Sequence, residues 1–100
     1  MERVETLADV VREQVAAYAG PALKARAFFL SNEFEHIYGV VDVPESRAQM
    51  TPLLVLLARV SDDFVIIEED IHDRPLWEAL VRAGIPRDRI VLAYAGESAP

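Results

Sequence analysis

The chain contains no cysteine, which removes both a disulfide framework and a thiolate metal site from consideration. Lysine is nearly absent. Lys24 stands alone, and the other nine of the ten basic residues are arginines scattered among seventeen acids. The formal net charge is −7, and no predicted face collects a stripe of positive charge. A protein that binds duplex DNA unaided draws much of its affinity from Lys and Arg neutralising phosphates. Strong autonomous nucleic-acid binding is therefore not expected, and docking on a basic partner suits the charge balance better. Long apolar runs are missing too, none approaching the ~20 residues that span a bilayer. The start, MERVETLADVV, is charged and helix-patterned rather than a basic segment leading into an apolar one. These absences lead to the expectation of a cytoplasmic protein without a membrane partner. Glycine is sparse: Gly20, Gly39, Gly84 and Gly96 stand apart, so no glycine-rich loop can cradle phosphate. Neither a Gly-x-Ser-x-Gly elbow nor a His-Glu-x-x-His pair occurs.

What is present is ample apolar material. Hydrophobic residues make up 52% of 100 residues, enough for the core of one domain, taken here as residues 1–100. The spacing of Val4, Leu7, Ala8, Val11, Val15 and Tyr18 predicts a helix over Thr6–Tyr18, with Thr6 and Asp9 as a weak capping box. Gly20-Pro21 stops it. Ala25–Ser31 and Glu35–Val43 read as strands joined at Asn32-Glu33, hence as a hairpin. Pro44–Pro52 is a polar loop bracketed by prolines. Leu53–Val60 and Phe64–Glu68 form the next strand pair around Ser61-Asp62-Asp63. A second helix follows, with Asp73 placed as its N-cap, Pro75 just inside it, and Leu76, Trp77, Leu80 and Val81 on one stripe. Gly84 suits a left-handed C-cap and Pro86 forbids continuation. The chain then re-extends over Ile90–Tyr94. The order α-β-β-β-β-α-β predicts an α+β fold: a curved, mainly antiparallel sheet with both helices on one face.

The strand patterns carry a further expectation. A sheet with one wet face alternates apolar and polar residues. Leu53–Ala58, Phe28-Phe29-Leu30 and Ile90–Ala93 do not alternate. Two short helices can cover one face of a five-stranded sheet, so something else must cover part of the other. Sheet curvature, a second copy of the chain, or a different protein could do so, and self-association or obligate pairing is the expected outcome.

Catalytic-looking side chains gather in one place, Glu68-Glu69-Asp70-Ile71-His72-Asp73. One reading is a divalent metal site, or a carboxylate pair with His72 as acid or base. The other is structural and is preferred: Asp73 caps the helix, and its acidic neighbours favour the positive end of the helix dipole. Adjacent strand residues point to opposite faces, so Glu68 and Glu69 are not expected to share an ion. His36 and His72 lie thirty-six positions apart and read as independent. Trp77 reads as core, and Arg87 and Arg89 as solvent or interface residues.

One stretch has a family character. The acidic turn Glu68-Glu69-Asp70, then Leu80, then Ala83-Gly84-Ile85-Pro86-Arg87-Asp88-Arg89-Ile90-Val91-Leu92 resembles the XisI family of excision controlling factors. The likeness is best over residues 64–97, and the segment Pro44–Pro52 departs from the family pattern. The resemblance implies a non-catalytic accessory factor without a cofactor. It also implies an XisH-like, endonuclease-fold companion in programmed excision of a DNA element. The residues expected to meet a partner are Glu68, Glu69, Asp70, Asp73, Arg87 and Arg89, and none is expected to bind metal. The alternative is a small acid–base or metal-assisted enzyme built on Glu69, Asp70, His72 and Asp73.

Overall fold

Thr6 opens the first helix with more than the expected partial cap. In the structure, a computed structural model that describes residues 5–48 and 50–100, its hydroxyl accepts from the Asp9 amide at 3.1 Å. The Asp9 carboxylate accepts in return from the Thr6 amide at 3.0 Å, so the capping box is complete. Helix α1 runs Leu7–Ala16 and buries Val11 and Val15. Val4, placed on the same stripe, lies outside the described residues.

The sheet has six strands in chain order: β1 (Gly20–Ala22), β2 (Ala25–Asn32), β3 (Ile37–Pro44), β4 (Leu53–Ser61), β5 (Phe64–Asp70) and β6 (Ile90–Leu92). The first five pair antiparallel with their neighbours, while β6 returns through helix α2 (Leu76–Arg82) to lie parallel to β5. The fold is therefore the expected α+β class, with one strand more than foreseen. Helix α1 ends at Ala16, two residues short of the Tyr18 expected and before Gly20-Pro21, while Gly20 adopts φ +138, open to glycine, and leads into β1, which folds back on β2. The hairpin turn between β2 and β3 is longer than Asn32-Glu33. The Asn32 side chain accepts from the amides of Phe34 and Glu35, and His36 takes a left-handed φ of +54 before β3 starts at Ile37. The last strand is shorter than read, because Ala93–Ala95 coil into a 3₁₀ turn.

Both helices pack on one face. Val11, Val15, Leu76 and Leu80 share a single core with Tyr38, Val40, Leu56, Ala58, Val65, Ile67 and Ile90. Those strand residues are linked by register, from Tyr38 to Ala58 to Ile67 and from Val40 to Leu56, so they project from one side of the sheet. Helix α2 ends as the sequence indicated. Ala83 is its C-cap, Gly84 sits at φ +104, and the amides of Gly84 and Ile85 bond the carbonyls of Val81 and Leu80, both at 3.0 Å. This pair of bonds is a Schellman motif, and the buried Ile85 extends the Leu80 contact beyond it.

Two bulges decide which side chains face which way. Between Val40 and Val41 of β3, the partner strand advances from Leu56 to Leu54, leaving Val55 as the extra residue. Val55 and Leu56 are both buried, whereas Leu54 is 38% exposed. Between Leu57 and Ala58 of β4, β5 advances from Glu69 to Ile67, leaving Glu68 as the extra residue. This second insertion shapes the acidic turn.

Candidate functional site

A strand period of two would place Ile67 and Glu69 on the helix side and Asp70 on the opposite side. The insertion at Glu68 reverses that assignment, so Asp70 pairs with Leu56 and enters the core while Glu69 pairs with Leu57 on the open side. Asp70 is consequently the one buried charged residue in the described core, with its side chain 1% exposed. Its Oδ2 accepts from the Leu76 amide at 2.7 Å, and its Oδ1 accepts from the His72 amide at 3.0 Å. His72 Nδ1 lies 2.9 Å from the same Oδ1. The acid that caps α2 is thus Asp70, reaching in from the strand end. The expectation for Asp73 is corrected: Asp73 is exposed, Pro75 occupies the N-cap position, and that residue offers no side-chain oxygen to the first turn. The physical reason is the bulge, which aims the earlier acid at the unpaired Leu76 amide.

Tyr18, in the turn after α1, closes this corner. Its hydroxyl donates to the Arg74 carbonyl at 2.6 Å, and its ring meets His72 with centroids 4.5 Å apart. Burial, reinforced by the charge of Asp70, pushes the Tyr18 phenol above its ordinary range. Asp70, His72 and Tyr18 therefore clamp the entry to α2 against the end of α1.

The remaining acids of the turn go elsewhere. Glu68 pairs with Arg59 at 3.0 Å, and Arg59 shares a face with Leu57, the register partner of Glu69. Both glutamates are therefore brought to the open side, against the expectation of opposite faces, again because of the insertion. Among the described residues no group of three or more His, Asp or Glu side chains is placed to hold a metal ion. His36, exposed at the β2–β3 turn, is not part of the Asp70–His72 clamp.

Arg87 and Arg89 have distinct neighbours. Arg87 donates to the Ile90 carbonyl at 2.7 Å and to Glu97 at 3.0 Å, and its guanidinium lies 5.4 Å from the Trp77 ring centre. Glu97 in turn accepts from the Leu92 amide at 2.9 Å. That bond, with Arg87 second, holds the Glu97 carboxyl below its usual range. Two side chains so cover the outward backbone groups of the β6 edge. Arg89 stacks over Phe64 with 5.4 Å to the ring centre.

The face away from the helices carries an uncommitted apolar patch. Register places Phe28, Leu30, Gly39, Val41, Leu54 and Leu57 there together. Phe28 is 45% exposed and Leu30 53%. Gly39 floors a depression of about 250 Å³ bordered by Leu30, Ile37, Leu54 and Leu57. A Cβ at Gly39 would come within 3.0 Å of the Leu56 carbonyl and 3.3 Å of Leu57, so glycine is needed for β3 and β4 to approach as they do. Individual residues of this face were not assigned from the sequence, although its apolar character was signalled by the strands that fail to alternate.

Comparison with known proteins follows the same lines. The XisI protein family model matches residues 1–99. An XisI-like protein from Anabaena variabilis ATCC 29413 superposes with a TM-score of 0.74 at 20% identity, covering 85% of this chain and 81% of that one. The fdxN element excision controlling factor XisI from the same organism superposes with a TM-score of 0.59 at 15% identity, covering 84% and 77%. At these identities the likeness is one of fold. A search of curated proteins returns no match.

Proposed function

Because this chain belongs to the XisI family, we propose that it is a non-catalytic controlling factor in programmed excision of a DNA element, acting by pairing with an XisH-like, endonuclease-fold protein. The structural relative named an excision controlling factor supports carrying that role over. The observation that carries the non-catalytic half is the use made of Asp70. A general acid or base needs a carboxyl free to meet a substrate. Asp70 instead spends both oxygens on the Leu76 amide, the His72 amide and the His72 ring. The acid–base alternative built on Glu69, Asp70, His72 and Asp73 is correspondingly disfavoured, since the bulge turns Asp70 inward while Asp73 stays in solvent.

The partner half draws on charge. An acidic protein with a net −7 steers toward a basic surface and does not bind phosphate backbones by itself. Glu68, Glu69 and Asp73 remain candidates for that contact, whereas the Asp70 carboxylate is out of a partner's reach. The test is co-expression of this chain with an XisH-like, endonuclease-fold protein, one of them tagged. Joint elution that weakens as salt rises is the expected result. Separate elution of both proteins, each folded, would refute the pairing.

A further inference from the structure

We propose that the open face of the sheet is a homodimer interface, in which two copies of this chain stack β2–β5 against β2–β5. The edges of the sheet leave little alternative for self-pairing. At β6 the Ile90 carbonyl is taken by Arg87, the Leu92 amide by the Glu97 side chain, and the Leu92 carbonyl by the Glu97 amide. At the other edge β1 is three residues long and contains Pro21, which has no amide to donate. Extension of the sheet by a neighbouring strand is therefore blocked at β6 and at β1, which leaves the short Phe28–Asn32 edge of β2, and the exposed apolar side chains lie on the face rather than along that edge.

The charge distribution selects the occupant. The chain carries −7, yet register and stacking place Arg26, Arg59 and Arg89 on the open face against Glu68 and Glu69. Three positive and two negative groups leave that side close to neutral, so two copies can meet there without the repulsion their net charge would otherwise impose. A basic partner gains little from the middle of such a surface and meets acids only at its β5 end, where Glu68 and Glu69 lie. The relief of the face suits a copy of itself as well. A two-fold interface must supply both the knob and the hole. Phe28 and Leu30 stand out of the sheet, and the depression over Gly39 is the recess between Leu30 and the β4 residues Leu54 and Leu57.

The area is sufficient. Four strands of seven to nine residues, at about 4.8 Å between strands and about 3.3 Å per residue, give a face of roughly 500 Å². Two copies would bury about 1,000 Å², the lower bound for a specific interface, which implies a dimer that dissociates on dilution.

The experiment is sedimentation velocity on the untagged chain alone, from about 1 to 100 µM, with circular dichroism on every variant. The wild type is expected to move from monomer to dimer across that range. Leu30→Glu is expected to stay monomeric with an unchanged spectrum, and Leu54→Lys serves should Leu30→Glu not fold. Leu23→Glu, on the exposed β1–β2 turn, is expected to dimerise as the wild type does. A wild type that remains monomeric throughout would overturn the proposal, as would a folded Leu30→Glu protein that dimerises normally. A monomeric wild type whose Leu30→Glu variant loses the endonuclease-like partner would assign the face to that partner and refute self-pairing. Because no second protein is present in the primary measurement, its outcome is independent of whether the proposed excision pairing holds.

Discussion

Replacing Asp70 by alanine removes one carboxylate that serves three donors. The consequences can be ordered by what each donor is left with. The Leu76 amide, bonded at 2.7 Å in a buried position, would have no acceptor, since Pro75 precedes it and the helix begins there. A buried donor left unsatisfied costs about 1–3 kcal/mol, and the loss of a helix cap about 1 kcal/mol, terms that overlap here because they describe the same bond. The His72 amide and ring are partly exposed, so water replaces much of what Asp70 gave them. Adding a modest cavity term, the expected destabilisation is about 3 kcal/mol. For a domain of this length that corresponds to a drop in Tm of roughly 12–24 °C. Asp70→Asn keeps an acceptor for Leu76 but turns an amide toward the His72 donors, and should fall between the wild type and alanine. Asp73→Ala is the control: the residue is exposed, and its change should lie within about 0.5 kcal/mol of zero. Urea unfolding followed by circular dichroism measures all three. Equal losses for Asp70→Ala and Asp73→Ala, or a silent Asp70→Ala, would refute the assignment of the cap.

Two further predictions rest on single features. Gly84→Ala meets no atom within 4 Å of the added Cβ, so its whole cost is the backbone at φ +104. A loss of about 1–2 kcal/mol is expected in urea unfolding, with no change in association state. The second concerns acid stability. Glu33, held low chiefly by its hydrogen bond with Arg12, and Glu97, held low chiefly by the Leu92 amide, have folded values depressed below the ordinary 4.5. Their contribution is therefore fully present above that value and is lost as pH falls through the depressed folded values. The double variant Glu33→Gln/Glu97→Gln should show a shallower decline of Tm below pH 4.5 than the wild type, and parallel declines would contradict it.

Local chemistry carried a good part of this fold. Thr6 and Asp9, three apart, foretold a cap that proves reciprocal, and Gly84 with Pro86 after it foretold the left-handed end of α2, which closes as a Schellman motif. These motifs depend on a few consecutive residues, so a linear reading suffices for them. The β1 hairpin was hidden because Gly20-Pro21 is an equally good helix stop, and a three-residue strand at an edge has too few positions to show a period. Both helices were placed on the correct face because the apolar stripes of α1 and α2 have nothing else to bury against.

Facing is where linear reading fails, and the acidic turn shows why. The parity rule that assigns strand side chains to faces holds only while the ladder advances one residue for one. An insertion of a single residue exchanges the two faces for everything beyond it, and the residue inserted here, Glu68, carries no distinguishing chemistry. With parity intact, Glu69 would point into the core and Asp70 into solvent, and Asp73 would be the only acid near the helix start. The inserted residue instead makes Asp70 the cap and leaves two glutamates on the open face. The same logic revises the meaning of LLVLLA in β4. Its failure to alternate comes partly from Val55, which the first bulge adds to the helix side beside Leu56. Leu54 and Leu57 then remain on the open side, joined by Phe28 and Leu30 of β2, where burial alternates regularly although polarity does not. The apolar excess of the open face therefore survives once the bulge is accounted for. Regular alternation in β2, with the exposed positions filled by Phe28 and Leu30 rather than by polar residues, is the stronger argument that another surface covers them.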